Sequence, residues 1–414
     1  MTPKLLASRV ALAAVLAWVS AGPAWATAPP SRRQRLRDLG IIIGDMPTGR
    51  WNAITDVPGV KVGQVTLDRG HGRLVPGIGP VRTGVTAIVP RQDVWHHKVF
   101  AGSFVLNGNG ELTGMHWVKQ AGWLETPILL TETLSLPRVA DGVVSWMERV
   151  DPRMAITDDV VLPVVGECDD GFLNDERGRH VSQQDAIAAI ETARSGPVAE
   201  GSVGAGTGMV SFRFKGGIGT SSRVIPASDG GYAVGVLVNT NTGLRQDLIL
   251  DGVPVGKEIP DLMPVIASRS TAIASPAVAR PDDRPPESSI LIVVATNAPL
   301  LPLELDELAR HAALGLGLVG GISRFSSGDM ILAFSTGNDI PHYPAAATTS
   351  LVMVNETHMD PLYQAVIEAT QEAIGNALCM ATTMDGRDGH VVYALPLARL
   401  KAIMRKYGRL PRRR

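Results

Sequence analysis

Pro285-Pro286-Glu287-Ser288-Ser289-Ile290-Leu291-Ile292-Val293-Val294-Ala295-Thr296-Asn297-Ala298-Pro299 joins two stretches of opposite character. Upstream, 276–286 carries four prolines together with Arg280, Asp282, Asp283 and Arg284. Such a segment cannot bury much apolar surface and reads as an exposed loop. Downstream, Ile290 to Ala295 is an unbroken run of apolar, largely β-branched residues, the pattern of a strand buried on both faces. Ser288 and Ser289 stand at the junction. A serine at the mouth of a buried strand, directly after an exposed loop, suits a chain that cuts itself and exposes a new N-terminal nucleophile. The same placement also suits ordinary turn or capping serines.

The chemistry makes the first reading worth following. A serine hydroxyl is a weak nucleophile and needs a base beside it. If the bond before Ser289 breaks, the residue gains an α-amine that titrates at about 7.7–8.0. Nucleophile and base then belong to one residue, a variant of the logic of the catalytic triad.

Outward from that stretch, the first residues read as a secretory leader: Lys4 and Arg9, an apolar segment at 10–19, and Ala24-Trp25-Ala26 as an A-x-A cleavage site. The apolar segment is too short to span a bilayer stably. The expected mature chain starts at Thr27, with a periplasmic or secreted address and no membrane span. It holds 37 Lys and Arg against 40 Asp and Glu, a net charge of −3. Charge and the low aromatic content exclude a nucleic-acid platform. Cys168 and Cys379 are the two cysteines, so there is no disulfide framework, and whether the two pair is left open.

Turn residues punctuate a series of expected strands: 59–66, 85–89, 127–133, 160–165, 232–241 and 330–335. Expected helices cover 182–194, with Ser182 as N-cap, then 302–318, 360–378 and 396–407. A Gly/Asn-rich loop spans Leu106 to Gly114. Glycine-rich hairpins are expected between 201 and 223, with glycines at the positive-φ positions. Glu167, Asp169 and Asp170 follow directly on a strand, where they suit a grip on a cationic group or a solvated acidic turn. Asn241 ends a buried strand, placed to donate to an oxyanion or to satisfy a turn. Ser327 and Asp329 open another strand with their side chains on one face. The match to GxGxxG at 315–320 follows a helix rather than a strand and is rejected as a dinucleotide site. The histidines show no metal-ligand spacing, so neither a metal nor an organic cofactor is expected.

Several motifs in order resemble the DmpA/BapA-type aminopeptidases, serine N-terminal-nucleophile hydrolases that self-cleave into two chains. They are Asn107-Gly108-Asn109-Gly110-Glu111-Leu112-Thr113-Gly114, Pro163-Val164-Val165-Gly166-Glu167, Phe172-Leu173-Asn174-Asp175, Gly206-Thr207-Gly208-Met209, Lys215-Gly216-Gly217-Ile218-Gly219-Thr220, Gly252-Val253-Pro254-Val255-Gly256, Ser289-Ile290, the run from Ala295 to Pro302, Ser327-Gly328-Asp329, Ala333-Phe334-Ser335-Thr336 and Gly386-Arg387-Asp388-Gly389-His390. The resemblance covers about 35–402. It implies an α+β fold, a four-layer αββα sandwich of the N-terminal-nucleophile type, built jointly by an α chain of 27–288 and a β chain of 289–414 after cleavage between Ser288 and Ser289. It further implies Ser289 as nucleophile, Ser327 and Asp329 as positioning groups for the new amine and hydroxyl, Asn241 in the oxyanion hole, and Glu167 as the ligand for a substrate's ammonium. The implied substrates are small peptides, amides or esters with a free amine, and the implied assembly is a homo-oligomer of processed α/β heterodimers. The chain departs from the pattern it resembles at three places: Ser288 stands where Gly or Asn is usual, Cys168 stands where Thr is usual, and the proline-rich loop before Ser289 is longer than usual. Two other readings are kept: an acyltransferase of the ornithine acetyltransferase type, and a non-catalytic periplasmic binding protein on the same fold. The choice among L-α, D-α and β residues at the substrate's N-terminus is not readable from the motifs.

Overall fold

The computed structural model describes residues 32–266 and 289–411. The expected leader, the proline-rich loop and the bond between Ser288 and Ser289 lie outside the described residues. The strands are β1 (Lys61–Arg69), β2 (Val81–Val89), β3 (His97–Gly108), β4 (Trp123–Leu124), β5 (Ile128–Thr131), β6 (Val164–Glu167), β7 (Val210–Ser211), β8 (Phe214–Lys215), β9 (Gly217–Val224), β10 (Ala233–Asn241), β11 (Ser289–Thr296), β12 (Gly328–Pro341), β13 (Met384–Asp385) and β14 (Val391–Val392). The α-helices are α1 (Met115–Ala121), α2 (Leu136–Val150), α3 (Gln183–Glu191), α4 (Val255–Glu258), α5 (Pro302–Leu318), α6 (Asp360–Met380) and α7 (Leu397–Lys406).

The apolar run after Ser289 is β11, the fourth strand of a six-stranded sheet in the order β4-β3-β12-β11-β10-β9. It runs antiparallel to β10 and parallel to β12, with α5 as the crossover between the two parallel strands. Its continuous hydrophobicity has a direct cause. Ile290, Ile292 and Val294 pack into the core under α5 and α6, whereas Leu291, Val293 and Ala295 pack into a second core on the opposite face. That second core is shared with a four-stranded sheet, β1-β2-β5-β6. A third core lies between the four-stranded sheet and helices α2 and α3. Helices therefore cover the outer face of each sheet, and the two sheets meet face to face.

Gly166 marks how close that meeting is: a Cβ there would come within 2.7 Å of Leu291 Cδ1. Absence of a side chain lets β6, and Glu167 at its end, sit directly on the strand that Ser289 opens.

Helix α6 is pinned to β9 by a buried charge network. Arg223 is fully buried and pairs with Glu368 at 2.9 Å and Glu372 at 2.8 Å. Arg37 and Asn52 also donate to Glu372. Replacing Arg223 with methionine leaves Glu372 under-compensated in the core. The expected loss is about 3–5 kcal/mol, read as a lowered urea midpoint with an unchanged m-value.

Most expected elements are present, including α5 with the expected bounds and Ser182 as the cap of α3 in a capping box with Asp185. The strand β3 and the helix α2 had no sequence assignment. The expectation for the hairpin turns is corrected in part. Gly201, Gly204 and Gly217 do have positive φ, but the β7–β8 turn itself is made by Phe212 (φ 49°) and Arg213 (φ 61°). Two side chains hold this strained turn: Phe212 is fully buried, and Arg245 donates to the Phe212 carbonyl at 3.0 Å and the Arg213 carbonyl at 2.7 Å. Gly315, from the rejected nucleotide motif, lies in α5 against Thr370 of α6. Cys168 and Cys379 are both free and buried, one between the sheets and the other in the core under α6. Among the described residues no helix is long and apolar enough to cross a membrane.

Candidate active site

Three strands of the six-stranded sheet bring their ends to one place. Ser289 lies opposite Asn241 on one side and Gly328 on the other, and Ile290 lies opposite Asp329. Ser327 and Asp329 are fully buried, and the Ser327 hydroxyl donates to Asp329 Oδ1 at 2.6 Å. Burial pushes the Asp329 carboxyl above its ordinary range, partly offset by the Ser323 and Ser327 hydroxyls and the Ile290 N–H. The register sets Asp329 opposite Ile290, so the carboxyl stands beside the start of β11.

Asn241 is equally fixed. Its Oδ1 accepts from Val210 N at 2.7 Å, and its Nδ2 donates to the Asp169 carbonyl at 2.8 Å. These two bonds set the orientation of the amide, with its N–H₂ end toward the 168–170 turn.

The Gly/Asn-rich loop crosses directly over Gly328. Asn109 N donates to Ser327 O at 3.1 Å and Asn109 Nδ2 to Ser326 O at 2.7 Å. A side chain at 328 would collide with the Asn109 carbonyl, so the close crossing needs glycine. Gly110 then bridges the two sheets: a Cβ there would lie 3.0 Å from Glu167 Oε1 and 3.5 Å from Gly328 Cα. Glu167 therefore stands across the loop from the residue that flanks Ser289. Its Oε1 accepts from Glu111 N at 2.9 Å and its Oε2 accepts from the Thr133 hydroxyl. Neither donor is a cation, and burial raises its pKa despite both bonds. A carboxylate so placed is open to compensation by an incoming ammonium.

Beside this constellation lies a cavity of about 540 Å³. Phe104, Val105, Leu112, Met115 and Met330 give it apolar walls, and Glu111, His116 and Lys119 give it polar edges.

All five residues singled out as catalytic or substrate-binding, Ser289, Ser327, Asp329, Asn241 and Glu167, meet at this junction of the sheets. The acidic run after β6 divides. Glu167 faces the loop over Gly328 and Ser289, Asp169 is exposed and supplies its carbonyl to Asn241, and Asp170 is buried toward Glu132 and Glu176. Burial lifts Glu132 to about 7 and Glu176 to about 8 and raises Asp170 strongly. The sequence reading missed Thr133, Val210 and the Glu132–Asp170–Glu176 group. Thr133 meets Glu167, Val210 meets Asn241 and Glu132 meets Asp170 across tens of positions, and no spacing rule announces these contacts.

A serine opening a buried strand, flanked by an amide and a Ser–Asp pair, between two sheets clothed by helices, defines a hydrolase of the N-terminal-nucleophile class. The profile of Peptidase family S58 matches residues 52–392. A beta-peptidyl aminopeptidase, BapA, of Sphingosinicella microcystinivorans is 43% identical over 394 residues, 95% of this chain and 97% of that protein. Its namesake from Sphingosinicella xenopeptidilytica is 43% identical over 92% of each chain. Among solved structures, a Burkholderia sp. beta-aminopeptidase superposes with a TM-score of 0.81 at 44% identity, covering 91% of this chain and 100% of that one. The L-aminopeptidase D-Ala-esterase/amidase of Ochrobactrum anthropi, described as a variant of the Ntn hydrolase fold, does so with 0.81 at 38% identity, covering 91% and 99%. The chain belongs to peptidase family S58 and is a serine aminopeptidase.

Proposed function

We propose that the chain cuts itself before Ser289 and then removes the N-terminal residue from small peptides, amides or esters, with β-amino acids among the residues released. The observation that carries this reading is the place of Ser289: first residue of a buried strand, between Asn241 and the Ser327–Asp329 pair, with Glu167 across the loop.

In the first step Ser289 Oγ attacks the carbonyl carbon of Ser288 and the peptide C–N bond breaks, leaving an ester and a free Ser289 amine. Water hydrolyses the ester and frees the hydroxyl. In turnover the amine takes the proton of Oγ as it attacks the substrate carbonyl, then passes it to the leaving group. Water cleaves the acyl-enzyme. Asn241 stabilises the tetrahedral oxyanion, and Ser327 and Asp329 hold the new N-terminus. Glu167 binds the substrate's ammonium, so acyl groups without a free amine are poor substrates. The adjoining cavity receives the side chain or the remainder of the peptide. No organic cofactor takes part.

The wider reading is a four-layer sandwich assembled from chains of 27–288 and 289–414, associated further as a homo-oligomer, exported to the periplasm or beyond by the leader at 1–26. The β-residue preference is supported by two beta-peptidyl aminopeptidases among the relatives. The Ochrobactrum relative supports L-residues and D-alanyl esters and amides as further candidates.

Product analysis tests it. β-Alanyl, L-alanyl and D-alanyl amides are incubated with the wild-type protein, with and without an added amine acceptor. Free amino acid as the main product in both cases is expected. A transfer product that dominates at low acceptor concentration would instead favour the acyltransferase. Asn241→Ala is expected to lower kcat by about 10²–10³ while KM changes less. An unchanged kcat would remove Asn241 from the oxyanion hole.

A further inference from the structure

Beyond Glu167 the acid run turns into the interior. Asp170 is 1% exposed, Glu132 after β5 is 0% exposed, and Glu176 is half-buried. One oxygen from each of the three lies within 4.8 Å of the others. Part of each buried carboxyl is already used: Glu132 Oε2 accepts from Leu134 N at 2.6 Å, and Asp170 Oδ1 accepts from Asn174 Nδ2 at 2.8 Å. The remaining oxygens, Glu132 Oε1 and Asp170 Oδ2, are buried without a hydrogen-bond partner. A residue outside the acid group points the same way. Thr83 is fully buried, and its hydroxyl lies close enough to the Asp170 carboxyl to favour its charged form while falling short of full hydrogen-bond geometry. Lys215 acts on Asp170 only through space, because its Nζ is taken up by the carbonyls of Gly206, Met209 and Gly216.

Buried oxygens with unmet lone pairs are costly. Hard divalent cations gather oxygens at about 2.3–2.6 Å, so ligands on opposite sides of one ion lie roughly 4.6–5.2 Å apart. The spread of these carboxyls fits inside that span. A set of oxygens without thiolate or imidazole suits calcium, magnesium or manganese rather than zinc or copper.

We propose that Glu132, Asp170 and Glu176, with the Thr83 hydroxyl, bind one hard divalent cation that fastens the 169–176 turn. The site goes beyond the aminopeptidase reading and takes no part in making or breaking bonds. Its link to turnover is mechanical: the same turn supplies the Asp169 carbonyl that holds Asn241 Nδ2 at 2.8 Å.

The test uses full-length protein stripped with a chelator. Titration calorimetry and thermal melts are run with calcium, magnesium and manganese chloride separately, up to about 10 mM, above the ~10⁻³ M affinity of weak calcium modules. One ion per chain is expected for at least one cation, with a melting temperature that climbs with its concentration. Glu132→Gln and, independently, Glu176→Gln are each expected to weaken that binding at least 10-fold. Glu176 is half-buried, so its variant decides the matter should the Glu132 variant not fold. Absence of binding by folded, active wild type overturns the proposal. So does binding of unchanged affinity in the folded variants.

Discussion

Ser289→Ala is expected to yield a folded, single uncut chain without measurable aminopeptidase turnover. The substitution removes the attacking oxygen from both reactions assigned to this residue, self-cleavage and peptide hydrolysis. Loss of an activated nucleophile typically costs on the order of 10⁴–10⁶ in kcat. The fold should tolerate the change. Ser289 is only half-buried at the first position of β11, and the apolar residues that anchor the strand, from Ile290 to Ala295, remain. Intact mass reads the processing, and release of p-nitroaniline from β-alanyl-p-nitroanilide reads the turnover. Ser288→Ala separates the two serines at the junction: it should still process and still turn over. If Ser289→Ala processed normally and Ser288→Ala did not, the nucleophile would shift by one residue.

Glu167→Gln is the second large expected effect. Glutamine keeps an oxygen for Glu111 N or the Thr133 hydroxyl but carries no charge for the substrate's ammonium. Removing one member of a buried charge pair costs about 2–5 kcal/mol, so kcat/KM should fall roughly 30- to 4,000-fold, chiefly through KM. A pH profile gives an independent reading. Burial raises the Glu167 pKa, so protonation begins above the ordinary carboxyl range as pH falls and abolishes ammonium binding. An α-amine freed at Ser289 must also be unprotonated to accept the hydroxyl's proton, and α-amines ordinarily titrate near 7.7–8.0, above carboxyls. Log kcat/KM in the wild type should therefore fall on the acid side with a slope that steepens from one to two. The glutamine variant should keep a slope of one throughout. An unsteepened wild-type profile would show that the charge of Glu167 is not used.

Much of this candidate site is legible in the sequence because each of its residues sits at a chain position with its own local signal. Ser289 marks a change from loop composition to a two-faced apolar strand. Ser327 and Asp329 alternate at a strand start, Asn241 ends a strand of buried residues, and Glu167 follows one. Periodicity and punctuation report these places before any tertiary contact is known. What joins them was not readable. Glycine at 328 and 166 could mean turns or close approach, and only the crossing of the Asn107–Glu111 loop and the seating of β6 on Leu291 select the second meaning. The β7–β8 turn defeated the glycine expectation because tertiary bonds from Arg245 hold Phe212 and Arg213 in a conformation their own chemistry disfavours. Helix α2 and strand β3 went unassigned. The segment 97–108 ends in a Gly/Asn run that reads as loop, and β3 continues into that run on pairing with β12. The Glu132–Asp170–Glu176 group joins the end of β5 to the 169–176 turn and leaves no motif at all.

The central claim is that Ser289 becomes an N-terminus. Intact mass and N-terminal sequencing of the purified wild-type protein test it most directly. The account predicts two fragments, the smaller beginning Ser289-Ile290-Leu291 and ending with the chain. A folded wild-type protein that stays uncut, or one whose smaller fragment begins away from the Ser288–Ser289 junction, would contradict it.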